Sequence, residues 1–294
     1  MTRRNLVIAV VGVLIAQLCL LAPAPRAQDA EVRRELPRGG TELFPAYRVV
    51  AFAGAPNAPG LGALGIGTLE QASAKLRSVA AKYRRPGRPE LPAMELITTV
   101  AHSKPHGGGK YRTRQSPERI RRYLDAARKV RGLLLLGIQP GRSDFLTEVK
   151  AYEEFLGEPD VGVALDPEWN MGPRGVPGRG VGSVRARTVN KVADYMAKIV
   201  EQEGLPEKLL LVHEFTPAMI TERAELKQPD GVAVTLSVDG IGNARAKAQT
   251  YRSLLLDPPG FHAGFKLFYV EDSELMSPSQ VIDLEPTPDF VVYE

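Results

Sequence analysis

The sequence predicts an α/β fold, a single (β/α)8 (TIM) barrel without an eighth helix, and three observations predict it. Short β-branched or leucine-rich runs alternate eight times with longer segments of helical spacing. Capping residues mark the helix starts and so fix the order strand, loop, helix. Setting aside about thirty residues at the start of the 294-residue chain leaves about 264, near the roughly 250 usual for such a barrel. Parallel strands need a crossover, usually a helix, so strict alternation implies a parallel sheet. A doubly wound open sheet is the competing closure. No Gly-x-Gly-x-x-Gly turn follows the first strand in dinucleotide-binding form: Gly60, Gly62, Gly65 and Gly67 are spaced through a long loop rather than packed at a helix start.

Residues 1–30 read as an export signal rather than as part of the fold. Arg3 and Arg4 give a positive start, residues 6–22 are apolar apart from Gln17, and small residues with prolines follow. An uncleaved membrane anchor is the alternative, since the run has the length of a short span. The expected location is therefore secreted or associated with the cell envelope. Residues 31–46 form an N-terminal extension and residues 47–294 the barrel. Its strands are expected at 48–53, 95–101, 133–138, 162–165, 209–212, 232–238, 266–270 and 290–293. Helices are expected at 69–83, 117–130, 145–155, 185–203, 217–225, 244–255 and 278–282. Ser116-Pro117, Thr216-Pro217 and Ser277-Pro278 each place a capping hydroxyl before a proline at the first helical position. Thr68 with Gln71, and Ser277 with Gln280, have capping-box spacing.

Composition narrows the function classes. A hydrophobic content of 44% excludes a disordered chain, and 28 glycines with 24 prolines show no collagen-like period. The single cysteine, Cys19, excludes a disulfide framework and a cysteine-based zinc site. The formal charge of +4 owes Arg3, Arg4, Arg26 and Asp29 to the signal; without them 35 basic face 33 acidic residues, or +2. Residues 110–131 carry nine Lys/Arg against Glu118 and Asp125. A solvated helix face explains this run, and no nucleic-acid-binding motif accompanies it.

Chemistry in such a barrel sits at the C-terminal strand ends. Read in order, those ends carry His102, Gln139, Asp166 and Glu168, His213 and Glu214, Asp239, Glu271 and Asp272, and Glu294. The opposite ends carry fewer polar groups, Glu95 and Lys208 among them. In strand 4, Gly162, Ala164, Asp166 and Glu168 share one face by the period of two. In strand 6, Ala233, Thr235, Ser237 and Asp239 do the same. Small residues that fit a crowded interior thus lead to carboxyls aimed at a common axis.

The stretch Ala164-Leu165-Asp166-Pro167-Glu168-Trp169 resembles the strand-4 Asp-x-Glu motif of chitinase-type family 18 glycoside hydrolases and family 25 lysozymes. The resemblance implies that Glu168 is the acid that protonates the glycosidic oxygen, with Asp166 supporting it. Val161 and Ala164 stand where the chitinase motif carries aspartates. The overall pattern also resembles uncharacterised secreted proteins of actinobacterial type.

Glycoside hydrolysis needs one protonated and one ionised carboxyl. Glu168, beside the like charge of Asp166 and next to Trp169, has a setting that raises an acid's pKa. Glu214, Asp239 and Asp272 are the candidates for the second carboxyl. Trp169, His102, Gln139, His213 and Tyr293 are candidate substrate contacts. The expected partner is a glycan or envelope polymer, bound by a monomer that touches a membrane only through an uncleaved N-terminal segment. The loops at 54–67 and 170–182 flank the mouth and could act as lids. A catalytically inactive carbohydrate-binding barrel is one alternative and a metal-dependent hydrolase another. Neither a His-x-His on strand 1 nor a His-Glu-x-x-His helix is present, and no metal or other cofactor is expected.

Overall fold

The computed structural model describes residues 35–255 and 260–294. The export-signal reading of residues 1–30 lies outside the described residues. Eight strands form one closed parallel barrel: β1 (Arg48–Gly54), β2 (Glu90–Ala101), β3 (Leu133–Ile138), β4 (Val161–Leu165), β5 (Lys208–Glu214), β6 (Val232–Val238), β7 (His262–Leu267) and β8 (Phe290–Tyr293). Each pairs with its sequence neighbours, and β1 closes the ring on β8 through Val49–Phe290 to Phe52–Tyr293. The helices are α1 (Leu69–Ala81), α2 (Pro117–Lys129), α3 (Phe145–Lys150), α4 (Glu153–Leu156), α5 (Ala186–Glu203), α6 (Ala244–Leu255) and α7 (Pro278–Ile282).

The alternation of side chains along each strand separates two cores. Outward residues such as Val50, Leu134, Val163, Leu210 and Val234 pack beneath the apolar faces of the helices. Inward residues such as Ala51, Ala93, Leu135, Ala164, Leu211 and Val292 fill the barrel. Leu36, Leu43, Phe44 and Tyr47, from the segment before β1, join this inner cluster beside Val49, Leu91, Leu133, Leu209 and Phe290 at the strand starts. The described part of the N-terminal extension is therefore a plug for the barrel's lower end. On the outer face of β1 and β8, Phe52, Tyr83, Tyr269 and Tyr293 form an aromatic cluster, with Tyr83 and Tyr293 joined hydroxyl to hydroxyl at 2.6 Å.

Small inward residues are required where neighbouring strands crowd the axis. A Cβ on Gly162 would stand 2.6 Å from the Leu209 carbonyl oxygen and 2.8 Å from Leu135 Cδ2. Gly162→Ala is expected to destabilise by about 1–3 kcal/mol through overpacking. Gly157→Ala, where nothing lies within 4 Å of the new atom, should be near neutral. Urea unfolding of the two variants compares them.

Two expected helices are corrected. The segment 217–225 contains only 3-10 turns at Pro217–Met219 and Arg223–Glu225, flanking a short strand, Ile220–Thr221. The β-branched pair bonds in parallel to Val184–Arg185, and Glu222, in the left-handed region at φ 58°, stops further winding. The segment 145–155 breaks into α3 and α4 because Tyr152 leaves helical geometry (φ −116°, ψ 21°). Its hydroxyl is held by the Thr98 carbonyl at 2.7 Å and the Thr99 hydroxyl at 2.9 Å. A short strand at Arg112–Arg114, unforeseen in the sequence, folds back antiparallel on the end of β2. It takes two arginines out of the basic run: Arg112 and Arg114 both clamp the fully buried Glu148, at 2.8 and 2.7 Å.

Candidate active site

Three strands place inward polar residues where the interior opens. On β2, Leu91, Ala93 and Glu95 follow one another by the period of two, with Leu91 and Ala93 in the inner core. On β5, Leu209, Leu211 and His213 do so, and on β6 Ala233, Thr235, Ser237 and Asp239. β4 delivers Asp166, after which Pro167–Trp169 winds into a 3-10 turn carrying Glu168. β7 contributes Lys266, and Glu294 follows β8. Together they surround a cavity of about 480 Å3. Glu95, Gln139, Asp166, Glu168, Asp239, Lys266 and Glu294 line it on the polar side, and Ile97, Trp169, Phe215 and Phe268 on the apolar side.

His213 is fully buried and centres an ion cluster. Its Nδ1 lies 2.8 Å from Asp239 Oδ2, its Nε2 3.0 Å from Glu95 Oε1, and the same Nε2 3.9 Å from Asp166 Oδ1. A ring with an acidic oxygen against each nitrogen donates from both, so the imidazolium fits the contacts. Burial works against that charge, but Asp239 and Glu95 outweigh it and hold His213 well above its ordinary pKa. Lys266 is the second cation, 2.6 Å from Glu294 Oε2 and 3.4 Å from Asp239 Oδ2. Asp239 also accepts from the Ser237 hydroxyl at 3.1 Å. Burial would raise Asp239, yet His213 and Lys266 prevail and hold it below its usual value, so it is ionised.

The carboxyls of β4 go the other way. Burial pushes Asp166 up to about 7 despite His213 and Lys266. Burial, then the charges of Asp166 and Asp239, push Glu168 up to about 8. One cavity thus holds an acid kept protonated near neutral pH and a carboxylate kept ionised, the separation that acid/base chemistry uses. Glu168 Oε2 has no hydrogen-bond partner among the described residues.

Glu95, Asp166 and His213 also bring three ligand-type atoms within 4.8 Å of one another. With both imidazole nitrogens donating to carboxyls, His213 offers no lone pair to a metal in this arrangement.

Of the residues singled out from the sequence, Asp166, Glu168, Asp239, Trp169 and Gln139 line the cavity and His213 bonds to its wall. Four others are elsewhere. Glu214, one residue past inward His213, faces out of the barrel, where Arg223 grips both carboxyl oxygens, one at 2.7 Å. Asp272 is spent on structure, taking Lys247 Nζ at 2.9 Å and the backbone N–H groups of Gly242 and Phe268. His102 sits on the hairpin beyond β2, its Nε2 2.8 Å from the Thr113 hydroxyl. Tyr293 belongs to the outer aromatic cluster. Glu95 and Lys266 were missed because β2 starts five residues, and β7 four residues, before the expected positions. From the sequence, Glu95 falls at a lower strand end, and the expected seventh strand begins at Lys266. Extending the alternation back through Leu91-Pro92-Ala93 and Ala263-Gly264-Phe265 is the signal that finds them.

The fold and site define a parallel (β/α)8 barrel with a closed floor and a carboxyl-rich cavity at its C-terminal mouth. No family model and no curated protein matches the sequence. Among solved structures, a GH5-4 broad-specificity endoglucanase from Clostridium longisporum matches with a TM-score of 0.41 and 9% identity, over 78% of this chain and 76% of that one. A hyperthermophilic endo-β-1,4-glucanase in complex with substrate matches with a TM-score of 0.41 and 9% identity, over 83% and 88%. The reading of the site rests on its own residues.

Proposed function

We propose that the protein hydrolyses glycosidic bonds, with Glu168 as the general acid. The observation that carries this is a cavity-lining carboxyl, protonated up to about pH 8 and with one oxygen that has no hydrogen-bond partner among the described residues, in the same cavity as ionised Asp239. Glu168 would give its proton to the departing glycosidic oxygen, and its burial beside Asp166 supports that role. Asp239 is the member of the trio Glu214, Asp239 and Asp272 that lines the cavity, and it is the second carboxyl in this reading. His213, Ser237 and Lys266 fix its position and keep its charge. Trp169, Phe215 and Phe268 supply apolar surface for the C–H faces of sugar rings. The export signal read in residues 1–30 makes an envelope or environmental glycan the substrate of this proposal.

A polysaccharide and oligosaccharide panel with wild type and Glu168→Gln tests it. Release of reducing ends by wild type, lost in the variant, is the expected result. Turnover that survives the substitution removes Glu168 from the acid role, and glycan binding without turnover in either protein identifies an inactive, carbohydrate-binding barrel.

A further inference from the structure

Two buried carboxyl oxygens have no hydrogen-bond partner among the described residues, Glu95 Oε2 and Glu168 Oε2. Glu168 has work in the hydrolytic reading. Glu95 has none: it is 2% exposed, lines the cavity, and spends only Oε1, on His213. Leaving the other oxygen unpaired in a buried place is costly unless a ligand supplies the donor. The cavity wall has the same bias: five acidic residues line it (Glu95, Asp166, Glu168, Asp239 and Glu294), and two cations answer them, Lys266 on the wall and the His213 imidazolium behind it. Lys266 itself is committed to Asp239 and Glu294. With Glu168 protonated, the remaining acids still outnumber the two cations, so an anionic ligand would meet like charge here, and a neutral hydroxyl would satisfy one oxygen while leaving that excess unbalanced.

We propose that the sugar taken by this cavity carries a free amino group, and that Glu95 Oε2 receives its ammonium. An ammonium brings three donors and a positive charge to a wall that has acceptors to spare, and such charge-assisted bonds are the strong ones. The inference rests on the glycoside-hydrolase reading for the ligand being a sugar, and it names the class: amino sugars with an unacylated nitrogen. The N-acetylated form replaces the charge with an amide and adds bulk at the same atom.

The single tryptophan, Trp169, lines the cavity and reports binding by its fluorescence. Full-length Glu168→Gln, in buffer containing EDTA, is titrated with glucosamine, N-acetylglucosamine and glucose and with short oligomers of each. The free amines are expected to bind roughly 10- to 100-fold more tightly than their acetylated or hydroxyl counterparts. Adding Glu95→Gln should abolish that preference, with a thermal melt confirming that the double variant folds. Failure of the free amines to bind, or equal or tighter binding of the other two series, overturns the inference, and neither result needs the second substitution. Product release by wild type is read separately. Turnover of neutral sugars without amine preference overturns the inference and leaves hydrolysis standing; amine-selective binding without turnover of any amino-sugar oligomer does the reverse.

Discussion

Glu168→Gln should lower kcat by roughly 10²–10⁴-fold on natural glycans, the range usual for loss of a positioned general acid. The amide keeps the shape of the side chain but has no acidic proton to transfer. The effect should depend on the leaving group. An alkoxide from a sugar hydroxyl needs protonation as the bond breaks, whereas an aryl glycoside with an acidic phenol departs almost unaided. Steady-state kinetics on the two substrate types should therefore show a large loss on the first and a much smaller one on the second. A uniform loss across leaving groups would mean that Glu168 acts by binding or by structure. Thermal unfolding should change little, because no hydrogen bond to the Glu168 side chain is removed at Oε2.

Arg223→Met carries the largest expected effect on stability, about 3–5 kcal/mol by chemical denaturation, because one half of a buried ion pair is left charged and alone. Glu214 is fully buried, with both carboxyl oxygens on Arg223, which also donates to the Leu254 carbonyl at 2.7 Å. Adding Glu214→Leu should restore much of the loss, since a well-packed apolar pair often replaces a buried ion pair at little cost. The double variant should also keep its turnover, because Glu214 stands outside the cavity. Loss of activity in a stable double variant would return Glu214 to the catalytic set.

How legible the molecule was depended on local continuity. β3, β6 and β8 match their expected limits because apolar and β-branched residues dominate each run from end to end. β2 and β7 start early because Pro92 and Gly264 look like strand boundaries, yet both are carried inside a barrel wall that neighbouring strands hold in register. That error hid Glu95, an acid on the Nε2 side of His213, and Lys266, the second cation of the cluster. His213 and Glu214 were separable in principle, since consecutive strand residues face opposite sides and Leu209 and Leu211 already mark the inner one. Asp272 was not separable, because the buried Lys247 that claims it lies 25 residues earlier, on a helix. The raised pKa values of Asp166 and Glu168 also come from the assembled cavity. The sequence shows two neighbouring carboxyls, and only burial among His213, Asp239 and Lys266 decides which side of neutrality each one titrates.

The central claim is that Glu168 is an acid at neutral pH. Because its folded-state pKa is raised, the protonated form persists well above the unfolded value and disappears as pH rises through about 8. The stability that the retained proton confers is lost over the same rise. Asp166 titrates nearby, at about 7, so the pair is followed together. Selective carbon-13 labelling of glutamate side chains, with Glu168→Gln to assign the signal, follows the carboxyl directly by NMR. The predicted result is a Glu168 resonance that titrates near pH 8, matched by a fall in kcat/KM on the alkaline side. A resonance already ionised at pH 6, with titration near 4 to 5 as for an ordinary exposed glutamate, would contradict the account.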